Sequence, residues 1–99
     1  MTKREPIMNE EQAKTVALQA LACLTRDPSA LQRFFDLSGV DGADLRQRAD
    51  DPAMLAGVLD FFLSNEAQLL EMCQATDMPA EAPAQARRGL PGGQSYEWS

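Results

Sequence analysis

Five short polar signals divide this chain before any hydrophobic pattern is considered. Asn9, Asp27, Asp41, Asp51 and Asn65 each stand just before a helix-forming stretch, and proline follows two of them, at Asp27–Pro28 and Asp51–Pro52. An Asn or Asp side chain in that place accepts from an orphaned backbone N–H, and proline suits the first helical position because its missing N–H has no helical partner there. The chain is thereby cut into short helices. The connections at Arg26, Gly39 and Asp50 are too short for long antiparallel hairpins, so the helices cross steeply.

Between these signals the apolar residues keep helical spacing. The first helix opens at "NEEQ", where Asn9 and Gln12 have the types and spacing of a reciprocal capping box. It continues through Ala13, Val16, Ala17, Ala20, Leu21 and Leu24 as one stripe. The second starts at Asp27–Pro28, buries Leu31, Phe34 and Phe35, and stops at Gly39, a residue suited to a left-handed helix end. A third runs from Asp41 to about Ala49 with Leu45 as its only large apolar residue, too little to hold it alone.

The fourth, "AMLAGVLDFFL", is apolar over most of its circumference and belongs at the centre of a bundle. A second Asn-x-x-Gln pattern at Asn65 and Gln68 argues for a break and a fifth helix to about Thr76. One continuous helix is the alternative, since Leu55, Phe62 and Leu69 keep a seven-residue spacing. Pro83 makes any sixth helix short or irregular. At an offset of 38 residues, Leu31–Ala49 and Leu69–Arg87 share one outline: a helix end, a small polar turn, one apolar residue (Val40, Met78) and a short helix.

The fold class expected is all-α: a compact orthogonal bundle of five short helices, six if the Pro83 segment forms one, with a disordered C-terminal tail. Residues 1–8 read as a flexible lead-in, 9–89 as a single helical domain and 90–99, with its Gly-rich turn chemistry, as a flexible tail. A domain this small buries only about 60% of the surface its unfolded chain exposes, so self-association into a homodimer would help it.

Charge and residue types then exclude functions. Net charge is −6, and from Asp41 to Glu81 nine carboxylates face two arginines, Arg46 and Arg48. The stretch "DLSGVDGADLRQRADDP" (residues 36–52) has the outline of a helix-turn-helix, but its second helix would present Asp41 and Asp44 to the DNA groove first. A helix-turn-helix-like nucleic-acid binder is therefore disfavoured, and no nucleic-acid partner is expected. The chain has no histidine, the usual general acid–base group at neutral pH. Its neighbouring carboxylates are explained as caps and first-turn anions.

Cys23 and Cys73 sit in apolar helical patterns without a CxxC motif and read as reduced, buried thiols of a cytoplasmic protein. No metal-ligand spacing, phosphate-binding glycine loop, signal peptide or membrane-length apolar run occurs. Neither catalytic residues nor a cofactor nor a metal site is expected, and no membrane partner. The remaining reading is a non-enzymatic protein–protein interaction module with an unidentified protein partner. Its rival is a small-ligand-binding or enzymatic domain.

Two surfaces qualify for partner binding. Phe61, Phe62 and Leu63 follow one another on the apolar helix, more than one small domain need cover. Tyr96 and Trp98, the only Tyr and Trp, stand in the last four residues after Gly92–Gly93, where aromatic rings offer large contact area on few torsions.

The run "ALACLTRDPSALQRFFDLSGVDGADLRQRADDPAMLAGVLDFFLSNEAQLL", with its two "DP" starts, the "SGVDGADLR" corner, "VLDFFL" and the later "LPG" at residues 90–92, resembles a family of short alphaproteobacterial proteins, domain-of-unknown-function family 3572. The likeness covers roughly Ala13 to Gly92. It implies a compact helical protein of the bacterial cytoplasm, with a connection to signalling through neighbouring response-regulator genes. It carries over no catalytic or binding residue.

Overall fold

The computed structural model describes residues 9–90. Six helices follow one another: α1 Glu10–Thr25, α2 Pro28–Ser38, α3 Gly42–Gln47, α4 Pro52–Leu63, α5 Glu66–Thr76 and α6 Ala82–Gly89. No strand occurs among the described residues. The all-α bundle expected from the sequence is formed, with the sixth helix present. The lead-in 1–8 and the tail from residue 91 onward lie outside the described residues.

The caps act at the expected positions. Asp27 Oδ1 accepts from the Ala30 N–H at 3.2 Å, Asp41 Oδ1 from Asp44 at 2.9 Å and Asp51 Oδ1 from Ala53 at 3.1 Å. At α1 the capping box closes in both directions: the Gln12 N–H donates to Asn9 Oδ1 at 2.8 Å, and the Asn9 N–H donates to Gln12 Oε1 at 3.2 Å. At α5 only half of it forms. Asn65 Oδ1 accepts from the Gln68 N–H, but the Asn65 N–H already donates to the Phe62 carbonyl, so Gln68 has nothing to reach back to. Its Oε1 stays buried without a hydrogen bond. The same contact with Phe62 marks the break between α4 and α5, which are two helices.

Of two expectations at the C-terminal end, one holds and one is corrected. The sixth helix is short, as expected, with eight residues, and it is regular because Pro83 occupies the first turn, where no intrahelical N–H bond is lost. Leu90, placed in the tail by its Gly-rich neighbours, instead belongs to the core with 3% of its surface exposed. After α6 the backbone turns extended at Leu90 (φ −96°, ψ 150°), and the side chain is buried against the cluster.

α4 lies at the centre, with Met54, Leu55, Ala56, Val58, Leu59, Phe61 and Phe62 all buried. It is contacted by α1, α2, α5 and α6. α1 buries Ala13, Ala17, Ala20, Leu21 and Leu24, and its most extensive contact is with α6, which buries Ala82, Pro83, Ala86 and Arg87. Small side chains on both helices let their backbones approach closely.

The 38-residue offset has a structural counterpart. α2 ends at Gly39 with φ +77° and α5 ends at Asp77 with φ +57°, the two left-handed residues of the described chain. Each is followed by an apolar residue, Val40 or Met78, packed on the core. Left-handed backbone is strained for a residue with a Cβ, and a carboxylate at a helix C-terminus opposes the helix dipole. Asp77→Gly is accordingly expected to raise the unfolding free energy by about 0.5–1 kcal/mol in urea titration, despite glycine's greater freedom in the unfolded chain.

Candidate functional site, a groove between α2 and α4

The Asp27–Pro28 start sets the phase of α2 so that Ala30 and Phe34 face inward. Phe34 meets Phe61 of α4 edge to face, with ring centroids 5.7 Å apart, and Phe61 meets Phe62 at 5.5 Å in the same manner. Phe35 stands 6.2 Å from Phe34, so the four phenylalanines of the chain form one connected series. The Arg33 guanidinium lies over the Phe61 ring, 5.7 Å from its centroid.

Beyond this contact the two helices leave an open trough of about 650 Å³. Phe34 and Phe61 form its inner wall, Leu37 and Leu63 its apolar rim, and Ser38 and Ser64 one end. Leu37, one helical turn past Phe34, extends past the cover that α4 provides and is 73% exposed. Gly57 supplies part of the lining on α4, and a Cβ built there would meet nothing within 4 Å.

Polar groups of the trough are tied to the scaffold. The Ser38 hydroxyl donates to the Phe34 carbonyl at 2.7 Å and the Ser64 hydroxyl to the Phe61 carbonyl at 2.8 Å. Asp60, the one charged residue of α4, accepts from Arg87 Nε of α6 at 2.7 Å. Arg87 is 8% exposed. A buried guanidinium is tolerated only with such a partner, so the ion pair both satisfies α6 and fixes the carboxylate beside the groove.

Of the residues expected to meet a partner, Phe61 lines the groove while Phe62, 2% exposed, faces the core. Leu63 is partly exposed on the rim. Tyr96 and Trp98 lie outside the described residues. Sequence reasoning did not single out Leu37, Gly57 or the Asp60–Arg87 pair. A lone carboxylate inside "VLDFFL" was the available signal, because a charge on a central helix requires a counter-charge.

In the stretch with a helix-turn-helix outline, α3 has six residues, and Arg48 is engaged by Asp51 at 3.3 Å on the surface. Both cysteines are free thiols. Burial pushes the Cys73 thiol up from its usual value, with Glu81 adding to the effect, and its Sγ donates to the Pro79 carbonyl at 3.8 Å. Burial raises Cys23 as well, with Asp27 and Glu71 reinforcing the shift and Arg26 opposing it. A raised thiol pKa means little thiolate at neutral pH and low nucleophilicity. Among the described residues no group of three His, Cys, Asp or Glu side chains is placed to hold a metal ion. None of their helices is long and apolar enough to cross a membrane.

A family model described as "Protein of unknown function (DUF3572)" matches residues 10–93, which include all six helices and the whole groove. The chain belongs to the DUF3572 family. Tyr96 and Trp98 fall outside the matched region, whereas every residue lining the trough falls within it. Searches of the curated proteins and of the solved structures return no significant match.

Two outcomes are expected. Asp60→Ala strands the Arg87 charge and lowers the unfolding free energy by about 2–4 kcal/mol in urea titration, and combining Asp60→Leu with Arg87→Met recovers most of the loss. The thiols give a pH signature whose sign follows from the raised folded-state pKa. As pH rises above about 9 the unfolded chain loses these protons first, so it binds fewer than the folded state and stability falls. A variant with Cys23→Ala and Cys73→Ala loses that part of the alkaline slope, measured as the urea midpoint between about pH 8 and pH 10.5.

Proposed function

We propose that the protein is a non-enzymatic protein–protein interaction module and that the α2–α4 groove is its docking surface. The observation that carries this reading is Leu37: a large apolar side chain, 73% exposed, on the rim of an apolar trough whose inner wall is aromatic. Single exposed leucines are ordinary, but one continuous with an open apolar trough is not explained by the packing of the chain on itself. The trough is partly open rather than enclosed. It suits side chains projecting from a partner's backbone. The raised pKa of both thiols favours the non-enzymatic reading over thiol chemistry. Two free cysteines suit the reducing bacterial cytoplasm, where we place the module.

Site-specific photo-crosslinking in the native cell tests this. A benzophenone side chain introduced at Leu37 is expected to give a discrete adduct, and the same group at exposed Gln74 of α5 is expected to give none. An adduct of twice the chain's mass would make the partner a second copy. No adduct from position 37, or the same adducts from both positions, would overturn the assignment of the groove.

A further inference from the structure

We infer that the occupant of the α2–α4 groove is a basic amphipathic helix, seated across Gly57 with its cationic flank against the C-terminal ends of α2 and α4. This rests on the docking reading above and adds the chemistry of the partner.

The first support is charge. Leu37 and Ser38 are the last residues of α2, and Leu63 is the last of α4 with Ser64 its cap, so both helices end at the trough. Each helix C-terminus carries about half a negative charge, to which a cation is attracted even where the Ser38 and Ser64 hydroxyls already donate to the Phe34 and Phe61 carbonyls. Neither α2 nor α4 supplies one from its own last turn. Asp36 of α2 and Glu66 of α5 lie within three residues of these ends in sequence, outside the trough lining, and contribute only to the surrounding negative field. The nearby cations are already engaged, Arg33 over Phe61 and Arg87 with Asp60. Net charge of −6 also sets the long-range field against an acidic partner, and against a second copy of this chain.

The second support is Gly57. Glycine inside a helix costs about 1 kcal/mol relative to alanine. Here neither backbone dihedral nor packing requires it: its φ is not positive, and an added Cβ would meet open space. What the missing side chain does provide is a stretch of bare helix backbone in the groove, over which another helix can approach closely. An apolar helix face laid into a groove, flanked by cations matching two negative helix ends, satisfies both features.

The test uses fluorescein-labelled peptides of about eighteen residues, long enough for several helical turns. One is an amphipathic Leu/Lys peptide, one a Leu/Glu peptide of the same pattern, and one a scrambled Leu/Lys peptide without an apolar face. Binding to the full chain is followed by fluorescence anisotropy at low and at about 0.3 M salt. The Leu/Lys peptide is expected to bind at least about tenfold more tightly than either control. Gly57→Leu is expected to weaken it about tenfold more. Gly57→Ala, which leaves the helix better formed, serves where the leucine variant does not fold, and should weaken binding in the same direction while raising the melting temperature.

Equal binding of Leu/Lys and Leu/Glu peptides would overturn the basic character of the partner while leaving the docking groove in place. Leu/Lys binding that is indifferent to both Gly57 variants, or matched by the scrambled peptide, would place the peptide elsewhere and overturn the inference. Absence of binding by all three would overturn it as well, and crosslinking from position 37 reports separately on whether the groove is used at all.

Discussion

α4 has one charge among twelve residues, and every other element is arranged around the need to keep that helix out of water. A helix apolar on nearly all sides cannot lie on a surface, so its neighbours must come from several directions. α1, α5 and α6 bury it on most sides, and α2 reaches it through the Phe34–Phe61 contact. Four short neighbours do not close the circumference. The strip they leave, from Gly57 to Ser64, is the groove. Candidate site and core are thus two outcomes of one constraint, which explains why Phe61 belongs to both.

The ion pair follows from the same constraint. Asp60 interrupts the apolar surface at a partly buried position, and Arg87 answers it from 27 residues further along the chain. A hydrophobic pair of similar volume would hold α6 to α4 at least as well. What the charged pair adds is directional: a bond of 2.7 Å specifies the rotation of α6 about its own axis, which alanine contacts with α1 alone would specify weakly.

Local features of the fold were legible because their causes are local. Cap residues, proline starts and the glycine end act within four residues of themselves, and α1 to α5 appear where those signals put them. Gln68 shows where such reading stops. Its spacing from Asn65 repeats that of Gln12 from Asn9, yet the Asn65 N–H is committed to Phe62, a fact of the preceding helix rather than of the motif. Leu90 had glycines and a proline for neighbours and looked like tail, but burial depends on what lies across from it. The site was legible only in part for the same reason. Phe61 could be found from the apolar run, whereas the exposure of Leu37, the open space above Gly57 and the partner of Asp60 exist only once α2, α4 and α6 are assembled.

The pairing of α1 with α6 determines how the fold closes. α1 carries Ala13, Ala17 and Ala20 on its apolar face, and the surface that covers much of that face is α6, the last of the described helices. A chain ending at α5 would lack Ala86, Arg87 and Leu90, and with them part of the core and the counter-charge of Asp60. The bundle is thus closed by contacts between segments far apart in sequence, and a cut that removes α6 leaves both the α1 face and the Asp60 charge uncovered.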